Sequence, residues 1–177
     1  MRYPSRWLVD EQRRTFAQRA PRAGGIVVVD QSGSMDIEPS TLHRLLHAAP
    51  GMLVIGYSHK PGDVRNTPNV WILAQGGRVA IDPPAGNIGN GVDGPVLRYA
   101  LMVRRGREPV IWVCDGQVTD SNDHPDTQLT KEVAELVRRS GIVMVRDLDQ
   151  VKYVLSRNQR MAPPYGEFGR VGAYLLK

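Results

Sequence analysis

One cysteine in 177 residues excludes an internal disulfide, so burial rather than covalent stapling must hold this chain together. Aromatic residues make up only 6% against 41% hydrophobic, so the core must be packed from aliphatic side chains, and the length suffices for one such core. No apolar run approaches the roughly 20 residues that cross a bilayer, and Met1-Arg2-Tyr3-Pro4-Ser5-Arg6-Trp7 has no apolar leader stretch, so a cytoplasmic location without membrane attachment is expected. Also missing are a nucleophile-elbow Gly-x-Ser-x-Gly, a phosphate-binding Gly-x-x-x-x-Gly-Lys and a metal-binding histidine pair with its glutamate. No repeat and no low-complexity tract interrupts the chain.

What is present first is an uneven charge. Residues 1–24 carry six arginines against Asp10 and Glu11, which is +4 of the total +5, and the remaining body is near neutral. Clustered arginine suits phosphate or carboxylate partners. No basic stripe interleaved with aromatics continues into the body, so nucleic acid is disfavoured, and the arm reads as an extension that packs Trp7, Leu8 and Phe16 on the body. The organisation expected is a basic N-terminal extension (1–24), an α/β domain (25–157) and a Pro/Gly-containing C-terminal tail (158–177).

The most informative segment is Ile26-Val27-Val28-Val29-Asp30-Gln31-Ser32-Gly33-Ser34-Met35. A short β-branched run bounded by glycines has the chemistry of a buried parallel strand, which places Asp30 at the carboxyl end, where open α/β sheets bind ligands. One carboxylate and two hydroxyls in one turn are hard oxygen donors that suit Mg²⁺, Mn²⁺ or Ca²⁺ rather than zinc. The structural alternative is an Asx or Ser turn in which Asp30 and Ser32 satisfy backbone amides. A second apolar run, Pro109-Val110-Ile111-Trp112-Val113-Cys114, ends in Asp115-Gly116, and two aspartates at strand ends of one sheet can converge on one ion. Asp115 can equally be a turn former, and Cys114 reads as a small core residue.

Asp30, Ser32 and Ser34, followed by Met35, resemble the first motif of the von Willebrand factor A (VWA) domain family, and the run ending in Asp115 resembles that family's later acidic strand. The resemblance implies a metal-ion-dependent adhesion site in which Asp30, Ser32 and Ser34 are direct ligands of Mg²⁺, with Mn²⁺ or Ca²⁺ as alternatives. Asp115 would act directly or through water, and Gly33 and Gly116 would shape the loops. It also implies binding of a protein partner that completes the coordination with its own carboxylate, within a larger assembly in some relatives. The chain departs from the family at Gly89-Asn90-Gly91-Val92-Asp93-Gly94-Pro95, where Val92 occupies the position of a ligand threonine. Valine offers no oxygen, so a water, Asn90 or Asp93 must fill that vertex, or the ion binds more weakly. Asp93 can alternatively belong to the N-cap of the following helix.

Periodicity completes a doubly wound, mostly parallel α/β sheet sandwiched by helices, Rossmann-like and VWA-type in class, with about five strands. Ser40 is expected to cap a helix through Leu42, Leu45 and Leu46 that Pro50-Gly51 stops. Strands are expected over 52–57, 70–74, 78–81, 110–114 and 142–145, the second and third forming a hairpin across Gln75-Gly76-Gly77. Pro95 and Pro125 are expected to open helices, a final helix to cover 147–155, and 171–176 to add a strand or meet a partner. Three functions follow: a non-enzymatic, cation-dependent protein-binding module; a phosphatase-like metal-dependent hydrolase, disfavoured because Ser32 stands where such enzymes carry a second aspartate; or a metal-free VWA scaffold, which Val92 keeps open. His43 and His47, one helical turn apart, could chelate but lack a third ligand.

Overall fold

The computed structural model describes residues 24–32, 35, 38–59, 68–80, 93–119 and 124–157. The expected arm, the tail and the loop holding Asn90 and Val92 lie outside them, as do Gly33 and Ser34. Ten elements follow in the order β1 (Gly24–Asp30), α1 (Pro39–Ala48), β2 (Gly51–His59), β3 (Pro68–Gln75), β4 (Arg78–Val79), α2 (Asp93–Val103), β5 (Val110–Val113), α3 (Thr127–Ser140), β6 (Val143–Val145) and α4 (Leu148–Arg157). They form one six-stranded sheet in the order β4-β3-β2-β1-β5-β6, one strand for each run picked out in the sequence. β2, β1, β5 and β6 are parallel, while β3 and β4 run antiparallel at one side. The Gly76-Gly77 turn between β3 and β4 has φ of 61° and 79°, the doubly positive pair that two-residue hairpins favour.

Helices cover both faces. Side chains alternate along a strand, so Val27 and Val29 of β1 pack with Leu42, Leu45 and Leu46 of α1 and Leu148, Val151 and Val154 of α4. Ile26 and Val28 face the other way, onto Val96, Leu97 and Ala100 of α2 and Val133 of α3. β1 and β5 are buried along their whole apolar length, which is why both read as uninterrupted β-branched runs. Among the described residues no helix is long and apolar enough to cross a membrane.

Three helix starts differ from expectation. α1 begins at Pro39 with Glu38 as N-cap, and Ser40 lies inside the first turn without capping it. Proline's fixed φ and missing N–H suit it to that first turn better than serine's hydroxyl. α2 begins at Asp93, so Pro95 is its third residue rather than its first, and Asp93 lies at the helix start. α3 begins after Asp126, whose carboxylate accepts the Gln128 and Leu129 amides, and Pro125 instead pairs with Thr119 in an isolated bridge. An aspartate cap whose Oδ1 accepts two amides outweighs proline's preference for the first helical position. α3 stops at Gly141 as expected, and Cys114 is buried one residue beyond β5, its amide donating to the Val145 carbonyl.

Candidate functional site

The sheet order reverses beside β1: the chain first builds outward through β2, then returns to place β5 on the other side of β1. In open α/β sheets the crevice at such a reversal, outside the carboxyl ends of the strands, is where ligands bind. Asp30 is the last residue of β1, and Asp115 follows β5 by two residues. Both sequence-predicted aspartates therefore stand at the reversal, on adjacent parallel strands.

Each makes a local turn. The Ser32 amide donates to Asp30 Oδ1 at 2.8 Å, and the Gln117 amide donates to Asp115 Oδ1 at 2.9 Å. These are the Asx turns weighed as the structural alternative, and each engages one carboxylate oxygen. Ser32 also gives its hydroxyl to Asp30. Gly116, with φ of 85°, turns the chain after Asp115 through a conformation that a side chain disfavours.

Strand parity puts Asp30 on the face of Ile26 and Val28, toward α2. There Asp93, the first residue of α2, is 5% exposed, and Asp30 is 3% exposed. The Tyr57 hydroxyl donates to Asp93 Oδ1 at 2.5 Å, and the Trp112 indole N–H donates to the Tyr57 oxygen at 3.0 Å. Tyr57 pairs with Asp30 in the β1/β2 register. Sequence reading missed Tyr57 and Trp112. Aligning Gly24 with Gly51 as strand starts would have set Tyr57 beside Asp30, but nothing local ties Tyr57 to Asp93, 36 residues away.

Burial raises the Asp30 carboxyl from 3.8 to about 6, against the lowering effect of the Ser32 amide and hydroxyl and with a further push from Asp115. Burial, then Asp30, pushes Asp93 well above the usual carboxylate range; Tyr57's hydrogen bond opposes this and Asp115 adds to it. Burial followed by Asp93 also pushes the Cys114 thiol up, so it suits an unreactive core residue. Three carboxylates thus act on one another at this end of the sheet. Among the described residues, however, no three histidine, cysteine, aspartate or glutamate side chains group closely enough to hold a metal ion. Carboxylates alone do not make a cage, and hydroxyl, backbone or water oxygens would have to supply the other vertices.

No family model matches the chain, and no curated protein matches it.

The two α1 histidines stand elsewhere. His43 and His47 are exposed and line a cavity of about 410 Å³ with Leu46, Pro50, Gly77 and Val79, beside the start of β2 and hence at the opposite end of the sheet from Asp30.

The raised Asp30 carboxyl makes a signed prediction. Its folded value lies above its unfolded value, so the folded state holds that proton more tightly. Its contribution is fully present below about pH 4 and is lost as pH rises through 6, a change on the order of 3 kcal/mol. In EDTA, melting of the wild type should fall relative to Asp30→Asn as pH rises from 4 to 6. Parallel curves would mean that the carboxyl is hydrated.

Proposed function

We propose that this chain is a non-enzymatic protein-binding module of the VWA type. On this reading it binds a divalent cation at the carboxyl ends of β1 and β5 and through it an acidic residue of a partner protein, in the cytoplasm. The observation that carries the reading is the placement of Asp30 and Asp115 on neighbouring parallel strands at the point where the sheet order reverses. The donor chemistry fits: Asp30, Asp93 and Asp115 with the Ser32 hydroxyl form an all-oxygen set that suits Mg²⁺, with Mn²⁺ or Ca²⁺ as alternatives. Ser34 would join them by the family resemblance.

When bound, such a cation supplies an electrophilic centre that an incoming carboxylate can join. The chain's own residues prepare for that charge. Asp30 and Asp93 are kept buried beside one another, at an electrostatic cost that a positive charge would relieve. The Ser32 amide and hydroxyl hold the Asp30 carboxylate in place at the strand end.

One competing reading is a VWA scaffold that works without metal, which Val92 at the ligand-threonine position keeps open. Calorimetric titration with Mg²⁺, Mn²⁺ and Ca²⁺ separates the two: one saturable site is expected, and silence with all three ions would leave the metal-free scaffold. A phosphatase and esterase panel in Mn²⁺ should show no turnover. Activity that vanishes in Asp30→Ala would replace the binding module with the hydrolase.

A further inference from the structure

Resting on the cation-binding reading, we propose that Tyr57 is a positioning residue, supported by Trp112, that sets the Asp93 carboxylate as the replacement ligand for the oxygen Val92 cannot offer. The geometry is a relay of two hydrogen bonds. Trp112 on β5 donates through its indole N–H to the Tyr57 oxygen, and Tyr57 on β2 donates to Asp93 Oδ1. β1 lies between these two strands, so the relay spans the strand that ends in Asp30 and meets α2 at its first residue.

Each link is rigid. Tyr57 and Trp112 are both fully buried, so neither ring has room to swing away. The Tyr57 oxygen accepts from one partner and donates to the other, which fixes the direction of its proton toward Asp93. A carboxylate at a helix start ordinarily turns to the free amides of its own first turn. Asp93 accepts from its own backbone amide in this way and in addition takes the Tyr57 hydroxyl on Oδ1, which ties it to the sheet on the face where Asp30 lies. The Tyr57 bond fixes the orientation of the carboxylate through which Asp93 would act on a cation.

The alternative is a purely architectural tie between α2 and the sheet. That tie would be cheaper with neutral partners, because a carboxylate here is desolvated and repelled by Asp30. Keeping an ionisable carboxyl here makes sense when the site receives a positive charge that favours its ionised form. Sequence spacing alone leaves Asp93 as one candidate beside water and Asn90, whereas the relay gives it a fixed oxygen.

The test is calorimetry of Mn²⁺ binding to the full chain, with melting in EDTA measured alongside. Tyr57→Phe should weaken Mn²⁺ roughly tenfold or more, the usual effect of losing a ligand's hydrogen-bond partner. In an Asp93→Asn background the same substitution should add almost nothing, because the group it positions is already lost. Trp112→Phe keeps the Tyr57 hydroxyl and the ring volume in large part, and should weaken Mn²⁺ less than Tyr57→Phe does. It also serves if Tyr57→Phe fails to fold. A Tyr57→Phe protein, or in its place Trp112→Phe, that melts lower yet binds Mn²⁺ like wild type would overturn the positioning role and leave the cation reading standing. Equal losses with and without the Asp93 carboxylate would overturn it too. Wild type that gives no Mn²⁺ heat would remove both.

Discussion

Asp30→Ala should bind Mg²⁺ and Mn²⁺ on the order of a hundredfold or more weakly than wild type, a loss of about 2.7 kcal/mol in binding free energy, while remaining folded. The two halves of that expectation come from the same burial. Asp30 is 3% exposed and its carboxyl is raised to about 6, so ionising it in the cation-free protein is unfavourable. Removing the carboxylate relieves that cost and sacrifices the hydrogen bond from the Ser32 amide, worth about 1 kcal/mol. The variant should therefore melt in EDTA at neutral pH no lower than wild type, and lose only the metal-induced rise in melting temperature. A residue kept for the fold would behave in the opposite way. Undiminished calorimetric affinity in Asp30→Ala would remove Asp30 from the site.

Trp112→Ala should cost about 3–5 kcal/mol of stability, read from urea unfolding. Trp112 is the largest fully buried side chain in the described core, lies on β5 between β1 and β6, and packs on the face covered by α2 and α3. Truncation opens a cavity between strand and helix, and the Tyr57 oxygen loses its donor. The cavity accounts for most of the loss, because Tyr57 keeps its bond to Asp93. A change below about 1 kcal/mol would mean that the neighbouring side chains close over the hole.

The contrast between these substitutions tracks what was legible in the sequence. Asp30 and Asp115 could be placed at strand ends because the runs before them are buried on both faces and therefore uninterrupted in sequence. The Gly76-Gly77 hairpin was equally plain. Helix starts were not: Ser40, Pro95 and Pro125 each carried a plausible local signal that Pro39, Asp93 and Asp126 displaced. The Trp112–Tyr57–Asp93 relay could not be read at all, since it depends on strand register and on α2 settling over one face of the sheet. Ser34 and Val92, which carry much of the family resemblance, lie outside the described residues.

The outermost strands of the described sheet are very short, two residues in β4 and three in β6. Neither offers the run of open amides and carbonyls on which another molecule could template an added strand. Backbone zippering onto β4 or β6 themselves is thus disfavoured. On the proposed reading, a guest is recognised instead by side chains gathered at one rim of the layer, where contact is small, directional and readily reversed.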